Sequence, residues 1–283
     1  MSQIKDANLL KKKKRLQRLL ENIGSLAVAF SGGVDSTLLL AMAQTVLAGN
    51  AIAVTSESVT HPAWERRGAE TLAKRIGVRH FRFHSAEMDL PAFLSNDRNR
   101  CYVCKKSLFA EIRKIAAKEG IQHVSHGANI DDLGDFRPGF IAAREEGVLA
   151  PLVDAGLSKA EIRLLSKEMG LPNWNKPPMA CLATRIPYGD PITREALFMI
   201  EQAEAFLLGS GFSICRVRRL ETTARIEVDS GEVDRLLKDP FRGQLVIRFQ
   251  QIGFSGISVD LEGYRQGSMN ETNRMIKELK LVS

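Results

Sequence analysis

Apolar and polar positions along the first half of the chain switch between two periods. The runs Leu26–Phe30, Ala51–Thr55, His80–Phe83 and His123–His126 have the length and the apolar content of strands. Between them, Thr37–Leu47, Pro62–Ile76 and Lys105–Glu119 carry apolar residues at helical spacing. Ahead of the first run, Leu9, Leu16, Leu19, Leu20 and Ile23 mark one face of an N-terminal helix. Strand–helix alternation predicts an α/β domain, a parallel sheet with crossover helices on both faces. Ligands in such sheets bind beyond the carboxyl ends of the strands. The loops starting at Ser31, Thr55 and Gly127 therefore face one crevice.

The pattern changes near residues 173–191. Pro177, Pro178, Pro187 and Pro191 exclude a regular helix or a central strand there. The expected organisation is a first domain over residues 1–176, a connection over 177–191 carrying Cys181, and a second domain over 192–283. The second domain opens with a helix, Thr193–Leu208, for which Thr193 has the chemistry of an N-cap. Strands are expected at Ile214–Leu220, Ala224–Val228, Gln244–Phe249 and Ile257–Leu261, with a short helix at Gly231–Leu237. That is a small α+β domain.

Composition narrows the function. Lys and Arg number 40 against 33 Asp and Glu, a net charge of +7 that suits anionic substrates such as nucleotides. The densest basic run, Lys11–Arg15, shares its segment with the apolar stripe of the first helix. It reads as a solvated helix face rather than an RNA-binding arm. With 3 Tyr and 2 Trp the chain lacks the aromatic platform of a nucleic-acid binder, so no nucleic-acid partner is expected. No apolar run reaches the length of a membrane span and the start does not read as a signal peptide, so a cytoplasmic protein is expected.

Candidate chemistry begins at Ser31-Gly-Gly-Val-Asp-Ser36, directly after the first predicted strand and before a helix. A glycine turn running into a helix N-terminus aims backbone N–H groups at one point, which makes an anion site. Gly32 and Gly33 permit positive φ and close approach of a ligand. Ser31 and Ser36 add hydroxyls. The spacing is not Gly-x-x-x-x-Gly-Lys, so this is not a Walker A loop; it resembles the PP-loop of ATP pyrophosphatases, which split ATP into AMP and pyrophosphate. Asp35 is placed to hold Mg²⁺ between phosphate oxygens; its structural alternative is a charge interacting with the helix dipole. After the fourth strand, Asn129, Asp131, Asp132, Asp135 and Arg137 offer carboxylates for a metal or ribose and a guanidinium for phosphate. The same run also has the make-up of a solvated Asx-rich loop.

Cys101-Tyr-Val-Cys104 forms a C-x-x-C, Cys181 lies in the proline-rich connection, and Cys215 is the fourth cysteine. In a cytosolic chain such spacing points to metal or redox chemistry rather than a structural disulfide. Arg100, Lys105, Lys106 and, near Cys181, Arg185 are cationic neighbours of the kind that favour thiolate. Three thiolates suit a [4Fe–4S] cluster with one open iron, four ligands suit zinc, and unligated reactive thiols are the third possibility. In the second domain Arg216 and Arg218, two apart on one strand, share a face and suit a phosphate or carboxylate. A sheet face salt-bridged through Glu227 would look the same in sequence.

Taken together, Ser31–Ser36, Arg100–Lys105, Ala128–Gly139, Met179–Gly189 and Gly263–Glu271 resemble the LarE family of ATP-dependent sulfur transferases over nearly the whole chain. The PP-loop is shared with many relatives; the segments around Cys181 and Gly263–Glu271 are the specific ones. The resemblance implies a PP-loop (adenine nucleotide alpha hydrolase-like) fold that uses ATP and Mg²⁺. Its implied reaction adenylates a carboxylate of pyridinium-3,5-biscarboxylic acid mononucleotide and then inserts sulfur, in the synthesis of the nickel-pincer nucleotide cofactor. It implies nucleotide contacts from Ser31, Gly32, Gly33, Asp35, Ser36, Thr55, Asn129 and Arg137. Cys181, Asp35 and Arg185 are the implied catalytic groups, and Arg216 and Arg218 the substrate-phosphate ligands. Because Cys101 and Cys104 accompany Cys181, the chain looks like the subclass with a three-cysteine [4Fe–4S] cluster rather than the one in which Cys181 gives up its own sulfur. The family assembles as homo-hexamers. The nearest alternative is a tRNA thiolase of the same superfamily, which would need an RNA-binding surface; an amide-forming synthetase would need a source of ammonia.

Overall fold

A computed structural model describes residues 2–134, 138–178 and 180–265. The chain divides into two compact units, residues 1–93 with 98–179, and residues 94–97 with 180–283.

In the first unit, four strands, β1 (Leu26–Ala29), β2 (Ala51–Glu57), β3 (Arg79–His84) and β4 (His123–Ser125), form an all-parallel sheet in the order β3-β2-β1-β4. The chain adds strands to one side of β1 and then crosses to the other with β4. The point of reversal therefore lies between β1 and β4, where doubly wound sheets open a crevice. Central strands of such a sheet are buried on both faces, and their alternate residues feed two cores. Leu26, Val28, Ala51 and Ala53 join a core with α1 (Ser2–Ile23), α2 (Val34–Leu47), α3 (Ala63–Ile76), the short α7 (Pro151–Asp154) and α8 (Lys159–Glu168). Ala27, Ile52, Val54 and Val124 join a second core with α5 (Arg100–Lys118) and α6 (Pro138–Glu145). One more short helix, α4 (Pro91–Leu94), precedes α5. Helices on both faces are thus the observed arrangement, as the alternation predicts.

The second unit holds α9 (Arg194–Gly209), α10 (Val233–Leu237) and α11 (Phe241–Ile252). Its sheet has the order β5-β6-β7, from β5 (Cys215–Leu220), β6 (Thr223–Val228) and β7 (Gly256–Val259). Thr193 caps α9, its hydroxyl accepting from the Ala196 N–H at 3.0 Å. Strands β5 and β6 are an antiparallel hairpin, and β7 runs parallel to β6 after the α10–α11 crossover. The expectation of a strand at Gln244–Phe249 is corrected: this stretch is the middle of α11. Leu245 and Phe249, four apart, are buried, whereas Val246 and Ile247 between them are exposed. That is a helical period hidden in a short apolar run, which cannot be told from a strand by composition. Residues 94–97 join this unit through Asn96, whose side-chain amide donates to the carbonyls of Pro187 and Asp190 at 2.7 and 2.8 Å. Among the described residues no helix is long and apolar enough to cross a membrane.

Candidate active site

The glycine loop of the first unit is shaped by one positive φ. Gly32 has φ +69°, and a Cβ there would lie 3.0 Å from the Ala69 backbone, so both conformation and space demand glycine. Gly33 does not share this: it is the extended N-cap of α2, with φ −75°. The Gly33 carbonyl accepts from the hydroxyls of Ser36 and Thr37 at 3.2 and 2.8 Å, and the Ser31 and Ser36 hydroxyls lie 3.2 Å apart. The first turn of α2 is thereby fixed beneath the loop. Across the crevice, the chain leaving β4 passes so close that a Cβ on Gly127 would sit 2.7 Å from the Ser36 nitrogen.

That approach brings Asn129 to the loop. Its Oδ1 accepts from the Asp131 N–H at 3.0 Å, forming an Asx turn, and its Nδ2 donates to Asp35 Oδ1 at 3.3 Å. Ser31, Gly32, Gly33, Asp35, Ser36 and Asn129 are therefore assembled in one place. Thr55 is close in sequence to the crevice, but its hydroxyl is engaged within the sheet. It donates to the Phe30 carbonyl at 2.7 Å and is bonded to His80 Nε2 at 2.7 Å, so any contact with a nucleotide falls to other atoms. Burial, with Arg82 nearby, lowers the His80 pKa. Asp135 and Arg137 lie outside the described residues.

Three residues not singled out in the sequence also reach the loop. Lys159 forms an ion pair with Asp35, the lysine side chain 32% and the aspartate 20% exposed. Its own backbone N–H donates to Asp131 Oδ2 at 2.7 Å. Lys176 donates to Glu65 at 2.6 Å and to the Gly32 carbonyl at 3.3 Å. Asn173 donates to the same carbonyl at 3.1 Å and to Thr37 at 2.9 Å. One sequence signal did exist. Ser158-Lys-Ala-Glu161 is a capping box, realised here with Glu161 and Ser158 bonded reciprocally, and it marks Lys159 as the first residue of a helix.

Cys101 and Cys104 stand three apart near the start of α5, exposed and half-buried respectively. Residues three apart on a helix share a face. Lys105 and Lys106, beside them on the helix, are exposed. His61 and His126 are pushed down to about 4, chiefly by burial and further by the Lys105 ammonium.

In the second unit Cys181 is half-buried and begins a 3₁₀ turn, Leu182–Arg185. Arg185 is expected from sequence as a cation beside the thiol; it interacts electrostatically with Cys181, and the geometry adds a second role. It is fully buried in a bidentate pair with Glu204, at 2.9 and 3.1 Å. Its Nη1 donates to the carbonyls of Ala180 and Cys181 at 2.8 and 3.1 Å. Burial opposes the charge, but Glu204 outweighs it and the Arg185 pKa is raised. Arg185 therefore holds the cysteine loop through its backbone.

Arg216 and Arg218 do share one face of β5, opposite Glu227 and Arg225 on β6. Arg218 is clamped by Glu227 at 2.8 and 2.9 Å and donates to the Thr184 carbonyl at 2.8 Å. The salt-bridged alternative thus describes Arg218, and a substrate phosphate would have to share it with Glu227. Arg216 donates to the Cys215 carbonyl at 2.7 Å and lies 5.0 Å from the centre of the Tyr264 ring. Burial, reinforced by Arg185, lowers its pKa. Cys215 is inside the core, donating to the Glu204 carbonyl at 3.7 Å, and burial pushes its thiol up to about 12. Such a thiol is an inert core group. Among the described residues no three His, Cys, Asp or Glu side chains gather as a metal site.

Comparison with known proteins places this geometry in context. The asparagine synthase family pattern matches residues 16–96. An uncharacterized protein of Synechocystis sp. is 40% identical over 259 residues, 90% of this chain and 97% of that protein. The pyridinium-3,5-bisthiocarboxylic acid mononucleotide synthase of Lactiplantibacillus plantarum is 34% identical over 273 residues, 94% of this chain and 96% of that enzyme. A glutamine-hydrolyzing GMP synthase of Aeropyrum pernix is 28% identical over 65% of this chain but only 39% of its own length.

Proposed function

The chain belongs to the LarE family, the pyridinium-3,5-bisthiocarboxylic acid mononucleotide synthases, and from that premise we propose how its residues divide the work. It is an ATP-dependent sulfur transferase of nickel-pincer cofactor synthesis. The observation that carries this reading is identity extending across both units and almost the whole of the relative, with an intact Ser31–Ser36 loop.

A carboxylate is a poor electrophile. Transfer of AMP from ATP to a carboxylate of pyridinium-3,5-biscarboxylic acid mononucleotide gives an acyl-adenylate, and pyrophosphate leaves. The amides of Gly32–Ser36 and the hydroxyls of Ser31 and Ser36 receive the charge that develops on the departing pyrophosphate. Asp35, with Asn129 bonded to it, would hold Mg²⁺ against the polyphosphate. Sulfur then attacks the acyl carbon, and AMP leaves. Arg216, with Arg218, binds the phosphate of the mononucleotide, so that binding energy remote from the carbonyl orients it.

The sulfur-bearing group falls to Cys101, Cys104 and Cys181. None of the three is in a disulfide and each is at least partly exposed, whereas Cys215 is buried with its thiol pushed up to about 12, which supports three ligands rather than four. If these three hold a [4Fe–4S] cluster, it would supply an open iron able to carry a transferable sulfide. Arg185 and Thr184, bonded to the Cys181 carbonyl, keep that thiol in a fixed loop. The assembly we expect is a homo-hexamer.

Two measurements test the reading. Formation of AMP and pyrophosphate dependent on the pyridinium dicarboxylate is expected; turnover of ATP to ADP instead would overturn it. Anaerobically isolated protein is expected to contain iron and labile sulfide, both lost in Cys101→Ala. A colourless protein whose Cys181 becomes dehydroalanine after one turnover, read by mass, would replace the cluster with a sacrificial cysteine.

A further inference from the structure

The Asp35–Lys159 pair joins the one carboxylate of the glycine loop to the first residue of α8. Its backbone is firmly placed. Ser158 and Glu161 complete the capping box, the Lys159 N–H is held by Asp131, and Glu161 is itself paired with Lys12 at 2.7 Å. Only the side chain is left to move. An ammonium on a four-carbon stem is a point charge with rotatable donors, suited to changing partners without moving backbone. Both partners are partly exposed, so water can assist the exchange.

The charge balance of the site gives that movement a direction. Without a ligand, the Lys159 ammonium neutralises Asp35. A Mg²⁺–polyphosphate brings a dication to the carboxylate and several negative oxygens to the same loop. The cation displaces the ammonium from Asp35, and the phosphate oxygens beside it accept the ammonium. Asp35 and Lys159 each keep a partner of opposite charge before and after. Lys176, which binds the Gly32 carbonyl but neutralises Glu65 rather than Asp35, makes a natural internal control.

We propose that Lys159 is an exchangeable counter-ion: it occupies the cation-binding carboxylate of Asp35 in the free protein and moves onto the pyrophosphate group when the Mg²⁺-bound polyphosphate enters. This deepens the nucleotide-site reading above and rests on it. Lys159 becomes a ligand of the leaving group, and the empty site is kept from holding a divalent cation on its own.

The test uses the full chain and measures binding rather than turnover. Mn²⁺ binding without nucleotide is followed by electron paramagnetic resonance, and Mg²⁺–pyrophosphate binding by calorimetry. Lys159→Gln is expected to bind Mn²⁺ alone about tenfold more tightly and Mg²⁺–pyrophosphate at least about tenfold more weakly, the scale of one charge-assisted hydrogen bond. Lys159→Arg is expected to restore most of the pyrophosphate affinity. Lys176→Gln is expected to leave Mn²⁺ binding unchanged. Pyrophosphate affinity unaltered in Lys159→Gln would overturn the proposal, as would an equal gain of Mn²⁺ binding in Lys176→Gln, which would reduce the effect to general charge. Failure of the unaltered protein to bind Mg²⁺–pyrophosphate or Mg²⁺–ATP would instead defeat the nucleotide-site reading itself. Unchanged circular dichroism and melting temperature identify folded variants.

Discussion

At the glycine loop the cations are lysines, and in the unit that carries Cys181 they are arginines. Lys159 on Asp35 and Lys176 on Glu65 are single-point pairs whose lysine side chains are 32% and 24% exposed. Arg185 on Glu204 and Arg218 on Glu227 are bidentate pairs whose arginine side chains are 0% and 8% exposed. A partly exposed ammonium pair contributes little stability and exchanges readily. A buried guanidinium–carboxylate fork contributes a fixed geometry and is costly to break. The first arrangement suits a site where polyphosphate must enter and leave. The second suits a loop that must present one cysteine in one place.

The comparison is best sharpened by acid. All the histidines lie between residues 61 and 126, in the first unit. His61 and His126 are held neutral to about 4 by burial, against 6.5 for the unfolded chain. Between these values the unfolded state binds more protons, so stability is full above pH 6.5 and falls as the pH is lowered towards 4. The loss is about 3 kcal/mol for each histidine. Stability against urea, followed by the fluorescence of Trp64 and Trp174, both in the first unit, is expected to weaken steeply over that window, and replacing either histidine with Gln is expected to flatten the slope.

The next largest effect belongs to the second unit. Glu204→Ala leaves Arg185 buried and unpaired, at a cost of about 3–5 kcal/mol. It should be visible as early unfolding of the second unit in hydrogen exchange, with α9 and β5 losing protection first. Exchange unaltered in that unit would mean the fork is not what holds the Cys181 loop. At the other extreme, Asp35→Ala breaks a partly exposed pair and should change stability by less than about 1 kcal/mol. AMP formation should nonetheless fall at least about a hundredfold, the scale of losing one electrostatic group at a reacting phosphate. A destabilisation as large as that of Glu204→Ala would erase the contrast between exchangeable and fixed charge.

Much of the first unit is legible in the chain because its signals are local. Each strand is a short apolar run, each crossover helix has a 3.6-residue period, and the glycine loop is contiguous. The strand expected at Gln244–Phe249 failed for the same reason in reverse. Five apolar or bulky residues in a row carry no period until Leu245 and Phe249 are seen to be inside and Ile247 outside. Lys159, Asn173 and Lys176 were not legible as site residues. They reach the loop from positions more than a hundred residues away, and nothing in a lysine's sequence neighbourhood states which carboxylate it meets.

By itself the sequence determined the alternation of elements, the anion-binding turn and the supply of thiols, since these depend on neighbouring residues and on backbone chemistry. Tertiary structure alone decided which charges pair. It gave Asp35 to Lys159, Arg218 to Glu227 and Arg185 to the backbone of the Cys181 loop, and it removed Cys215 from reactive chemistry. The physical reason is that Coulomb interaction and desolvation depend on distance and burial, and a chain acquires both only when it folds.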